Sequence, residues 1–216
     1  MRDTYQRRCA LIVSSSAEPV PGVAQSLAAR GAGSRAEGWG RRSERSLIAG
    51  ALAGSEADVE ALFRRYWPRA YRAAFLIVGD HAAAEDIAQE AFLSAVRRLD
   101  RFDRRRRFSP WLGTIVANRA IDWVRARTAR RESGQEVPEL EAAWQQQPLG
   151  SYSDELLAAI ATLSAEQRAV IVLRYVLEFT PGEIARALEL PRGTVNSRLR
   201  RGLDILEARL RESELR

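Results

Sequence analysis

The chain has 216 residues and 24.2 kDa, room for one large domain or two small ones, and its net charge is +6. Nearly half of it is hydrophobic, yet no run of 18 apolar residues occurs, which excludes a membrane-spanning helix. A single cysteine, Cys9, and a single histidine, His81, exclude an internal disulfide, a Cys-rich zinc site and catalysis built on several histidines.

The stretch Leu11-Ile12-Val13 runs at once into Ser14-Ser15-Ser16, too short for a signal peptide, so a cytoplasmic protein is expected. Every cationic side chain is an arginine, as a GC-rich bacterial genome would favour. Charge is distributed unevenly. Residues 97–131 hold twelve arginines and three aspartates, whereas 132–155 hold six acids and no arginine. The pattern is that of a polyanion-binding strip followed by an acidic linker.

Residues 1–46 are rich in Ser, Gly and Pro without a sustained period and read as a disordered extension. From Leu47 the chain turns helical: Val59, Leu62, Phe63 and Tyr66 recur at i, i+3, i+4 and i+7. Pro68 and Gly79 read as breaks. Asp80 is positioned to cap a helix whose apolar stripe is Ala84, Ile87, Ala88, Ala91 and Ala95. After the loop Asp103–Phe108, Ser109-Pro110 reads as N-cap and first turn of a helix lined by Leu112, Ile115, Val116, Ala120 and Trp123.

Residues 132–153 read as a flexible linker, and a second helical unit begins near Asp154. Its first stripe is Leu156, Leu157, Ile160 and Leu163. Ser164 with Gln167, and Thr180 with Glu183, have capping-box spacing. The expected fold is all-α: two small helical domains, 47–131 and 154–216, joined by that linker.

Residues 180–206 have a helix-turn-helix layout, with the turn at Glu189-Leu190 and a second helix from Pro191. Val195, Leu199, Leu203 and Leu206 form its apolar side. Gly193, Ser197, Arg200 and Arg201 fall opposite, flanked by Thr194 and Asn196. Such a face can enter a major groove, arginine pairing with guanine and asparagine with adenine; a solvated polar face is the alternative.

Two further faces stand out. Asp86, Gln89, Glu90, Leu93 and Arg97 lie opposite the alanine stripe, an acidic surface with one outward leucine that suits a protein partner; a solvated face with a stray leucine is the alternative. In the basic strip, arginines alternate with Phe102, Phe108, Trp111 and Trp123, a composition suited to melted DNA. Trp123 is assigned to the core, leaving the other three rings for base contact.

The segments DHAAAEDIAQEAFLSAVRRLDRF (80–102), WLGTIVANRAIDWVRAR (111–127) and the stretch from Leu163 ending GTVNSRLRRGLDIL (193–206) resemble regions two and four of an ECF-type sigma factor. The resemblance covers about residues 47–131 and 154–211. It implies that Asp86, Gln89, Glu90 and Leu93 dock on the clamp helices of the RNA polymerase largest subunit. It further implies that Phe102, Arg104, Arg105, Phe108, Trp111 and Asn118 serve capture of a flipped minus-ten base. Arg192, Thr194, Asn196, Ser197, Arg200 and Arg201 would read the minus-thirty-five element.

Polymerase core, promoter DNA in double-stranded and melted form, and an anti-sigma factor are the implied partners; no cofactor, metal or catalytic residue is implied. Asn196 stands where the family often has a basic residue, and Arg104–Arg107 make the loop more basic than is usual. Both bear on which promoter is read. Nothing between the units fits a region-one or region-three module, and none follows Arg216, so the minimal two-domain form is expected. The rival is a helix-turn-helix repressor or response-regulator output domain, which would have no need of the Asp86 face or the aromatic basic loop. An enzyme is remote: Asp86 and Glu90 share a helical face but no Glu-x-x-His ligand pair accompanies them.

Overall fold

The computed structural model describes residues 42–134 and 154–214, and within them the regular structure is entirely helical. The expected disordered extension falls mostly on 1–41, and the linker on 135–153, outside the described residues. Ordered structure nevertheless starts before Leu47. Helix α1 (Glu44–Leu52) is capped by Ser43, whose hydroxyl accepts the Ser46 N–H at 3.2 Å. Arg42 reaches past it to an ion pair with Asp58, a carboxylate 4% exposed that lies against Gly50. A Cβ at Gly50 would sit 1.8 Å from that carboxylate, so only glycine admits it.

Helix α2 (Glu56–Val78) begins at the Ser55 cap and ends at Gly79, whose φ of 72° is the left-handed C-terminal stop. Pro68 lies inside this helix, contrary to its reading as a break. Its ring removes one backbone donor, but Phe63 stacks on Trp67 at 4.7 Å and Trp67 on Tyr71 at 6.3 Å, so packing spans the defect. Helix α3 (His81–Arg97) is capped by Asp80, which accepts the Ala83 N–H at 2.9 Å. Its alanine stripe is fully buried against α2, the small side chains allowing close approach.

A 3-10 turn, Leu99–Arg101, leads into the arginine loop and then α4 (Phe108–Glu132). Ser109 is not its cap. The helix starts two residues earlier than that cap would set it, with Arg107 at the N-cap position, and the Phe108 N–H donates instead to Glu44 Oε1 of α1 at 3.0 Å. A carboxylate from 64 residues away thus serves a helix start that its local sequence leaves open.

The C-terminal unit comprises α5 (Asp154–Ala161), α6 (Ala165–Ile171), a π turn (Val172–Val176), α7 (Pro181–Ala187) and α8 (Arg192–Glu214). Both capping boxes form. In the π turn the Leu177 N–H reaches back five residues to the Val172 carbonyl at 3.0 Å. Leu156, Leu157, Ile160, Leu163, Val170, Leu173, Ile184, Val195, Leu199 and Leu206 fill the core.

The two units touch. Arg69 of α2 donates from Nε and Nη2 to the Val176 carbonyl at 3.1 and 2.8 Å, and its Nη2 lies 3.4 Å from Glu178.

Candidate functional site

The acidic face of α3 is built by helical spacing alone. With the alanines turned inward, Asp86, Gln89, Glu90 and Leu93 project outward and are exposed. Leu93, 46% exposed, is the more open of two large hydrophobics on the surface among the described residues. Glu90 is ion-paired with Arg119 of α4, a partner that no local spacing reveals.

The basic strip divides into a charged loop and an aromatic base. Arg104, Arg105, Arg106 and Arg107 are all exposed. Asp103 shapes their turn: its Oδ1 accepts the Arg105 N–H at 3.0 Å, its backbone carbonyl accepts the Arg106 N–H at 2.9 Å, and its carboxylate lies 3.7 Å from the Arg106 guanidinium.

Below the loop, Phe102 (6% exposed) and Phe108 (0%), expected at the surface for base contact, are buried in the core of the free protein. Phe108 is enclosed by Tyr66 at 5.1 Å, Phe102 at 5.7 Å and Trp111 at 5.7 Å, and Phe102 packs on Trp111 at 4.9 Å. Trp111 remains half-buried, while Asn118 is exposed two turns further along α4. Trp123 is half-buried on the core, with the Arg127 guanidinium 5.3 Å above its ring.

In the C-terminal unit, α7 and α8 are joined by a tight turn in which Glu189 takes φ 52°. Val195 and Leu199 anchor α8, and Arg192, Asn196, Ser197, Arg200 and Arg201 are exposed on its other side, with Thr194 half-buried. Asn196, Ser197, Arg200 and Arg201 line one shallow depression. Donors and acceptors of both kinds stand on a single helical face, the arrangement that a major-groove reader requires. The described residues hold no group of three or more His, Cys, Asp or Glu placed to bind a metal ion, and no helix long and apolar enough to cross a membrane.

Two family models match in this order: Sigma-70 region 2 over residues 62–130 and Sigma-70 region 4 over residues 153–206. The ECF RNA polymerase sigma factor SigW of Bacillus subtilis is 32% identical over 160 residues, covering 68% of this chain and 86% of that protein. This chain belongs to the ECF sigma factor family. SigL of Mycobacterium tuberculosis, another ECF sigma factor, is 34% identical over 170 residues, 76% of this chain and 96% of that protein.

Solved structures agree with the sigma-factor fold. CnrH in complex with the cytosolic domain of CnrY has a TM-score of 0.56 at 27% identity, covering 78% of this chain and 97% of that one. The sigma factor RpoE in complex with the anti-sigma factor NepR from Bartonella quintana has a TM-score of 0.57 at 25% identity, covering 71% and 97%. As a sigma factor, the chain directs promoter-specific initiation of transcription; the repressor reading has no support in these likenesses.

Proposed function

We propose that residues 47–131 act as the polymerase-docking and minus-ten unit and residues 154–216 as the minus-thirty-five unit, joined by the linker 132–153. Asp86, Gln89, Glu90 and Leu93 form the docking face, on the clamp helices of the polymerase largest subunit. Their outward projection carries this reading, because an exposed leucine amid acids has no use in the fold itself.

Arg104 and Arg105 hold phosphates of the opened strand, and Trp111 and Asn118 receive the unpaired base. Phe102 and Phe108 support that surface from below. Arg192, Thr194, Asn196, Ser197, Arg200 and Arg201 read the upstream duplex. The protein works without enzymatic activity of its own, in the cytoplasm. An anti-sigma factor restrains it, as the complex of RpoE with the anti-sigma factor NepR suggests.

Run-off transcription tests the reading. Polymerase core with this protein should yield specific transcripts that core alone does not. Asp86→Arg with Glu90→Arg should abolish them while leaving the helical content intact. DNA binding without protein-dependent transcripts would overturn it.

A further inference from the structure

We propose that the arginines and Trp39 of residues 30–41 hold the opened promoter strand, lengthening the cationic surface of the arginine loop across α1. This rests on the assignment of Arg104 and Arg105 to that strand. The folded unit fixes where these residues hand over to it. Arg42 is held at both side chain and backbone: its guanidinium pairs with the buried Asp58, and its carbonyl accepts Arg65 Nη2 at 2.9 Å. Two residues on, Glu44 accepts the Phe108 N–H at 3.0 Å, one peptide away from Arg107. The chain before Arg42 therefore meets the fold beside the last arginine of the loop.

The junction turns positive charge outward. Asp58 is buried against Arg42, and Glu44 is engaged by the Phe108 N–H and the Tyr66 hydroxyl, so both carboxylates are spent within the fold. Arg45 and Arg65 are exposed, and so are Arg98 and Arg101 at the 3-10 turn that packs on α1, where they flank the exposed Asp100. With Arg104 to Arg107, exposed guanidinium groups continue from the loop onto α1 and α2. A polyanion leaving the loop in this direction stays on cationic surface.

Residues 30–41 read RGAGSRAEGWGR: three arginines, four glycines, Trp39 and one acid, Glu37. Arginine and glycine with an interposed aromatic is a composition suited to tracking single strands, guanidinium groups following the phosphates while the ring stacks on an unpaired base. Duplex DNA offers Trp39 no free base face, and the opened strand does. Twelve residues reach at most roughly 40 Å from Arg42, enough to pass several phosphates beyond the loop. The acidic face of α3 takes no part, so this contact adds to promoter opening without entering core association.

The test uses polymerase core with the full-length protein on a promoter found by run-off transcription. The lifetime of the open complex after heparin challenge should fall about fivefold or more in Trp39→Ala, the loss of one base stack. Arg30→Ala, Arg35→Ala and Arg41→Ala together should shorten it too, and should flatten the salt dependence of open-complex stability by roughly two in log–log slope, the share of three single-strand phosphates. The three corresponding lysine replacements should restore that slope, and core association should not change in any of them. With p-benzoylphenylalanine in place of Trp39, irradiation should join the protein to the opened strand. Unchanged lifetime and slope would overturn the proposal, and so would joining to a polymerase subunit instead, which would make residues 30–41 a protein contact. Arg104→Ala with Arg105→Ala separates this failure from that of the underlying assignment. If the loop variant shortens the lifetime and the others do not, the role of residues 30–41 alone falls; if none does, the strand assignment of the loop falls with it. Circular dichroism of each variant establishes that it is folded.

Discussion

Arg119 of α4 is paired with Glu90 of α3, and the residue before it in sequence is Asn118. The acidic face of α3, proposed above to dock on polymerase, and α4, proposed to receive the opened strand, are thereby tied through one side chain. Both members are substantially exposed, so the pair contributes ~1 kcal/mol or less to stability. Arg119→Ala should leave the melting temperature nearly unchanged and tighten association with polymerase core by up to a few fold, since Glu90 then has no partner to leave. Titration of labelled core with the variant checks this; weaker association would make Arg119 part of the docking surface.

Phe108 is enclosed on three sides by aromatic rings and fully buried. Phe108→Ala should cost about 3–5 kcal/mol in chemical denaturation, the usual loss for a large core aromatic. Trp111→Ala, at the half-buried edge, should cost less and instead slow strand opening, seen as reduced permanganate reactivity of the minus-ten thymines.

Arg42 neutralises a carboxylate that has almost no access to water. Arg42→Ala should destabilise the N-terminal unit by about 1–3 kcal/mol, because Asp58 is left buried without its ionic partner. Removing residues up to 45 also takes Glu44 away from Phe108 and should cost more than Arg42→Ala by the same denaturation.

Thr180 donates its N–H and its hydroxyl to the Glu183 carboxylate, each at 2.8 Å, and these bonds hold the carboxyl below its ordinary value of 4.5. A carboxylate whose pKa is depressed on folding adds stability above the unfolded value and loses it as pH falls through the folded one. Acidification from about pH 5 downward should therefore weaken the C-terminal unit. Glu183→Gln should flatten that dependence in thermal melts; an unchanged pH profile would remove the capping box as its source.

Arg200 is exposed on the face of α8 proposed above to read the upstream duplex. Arg200→Ala should weaken promoter binding by ~1–3 kcal/mol and relax the preference at one base pair if the guanidinium bonds a guanine edge. A uniform loss across sequences, with a shallower salt dependence, would make it a phosphate contact.

Helix positions, caps and the helix-turn-helix were legible because each depends on residues within one or two turns: Asp80 to Ala83, Ser164 to Gln167, Thr180 to Glu183. The outward set on α3 followed from the same periodicity. What local spacing does not carry is the choice among several aromatics beside a charged loop. Phe102 and Phe108 are core because Tyr66 and Trp111 meet them, a fact of tertiary packing. The start of α4 depends on Glu44 and the contact between units on Arg69, both distant in sequence, whereas the rings that carry α2 through Pro68 are neighbours four residues apart whose stacking outweighs the lost backbone donor.

The arginine loop stands on a floor of packed rings and has its turn set by Asp103, so its shape exists before any nucleic acid arrives. Little chain entropy remains to be lost when a phosphate backbone settles there, and the charge acts at short range from a fixed scaffold. A strand should thus feel the loop as a rigid cationic ledge, whose hold is set chiefly by counterion release and therefore tracks salt far more steeply than temperature.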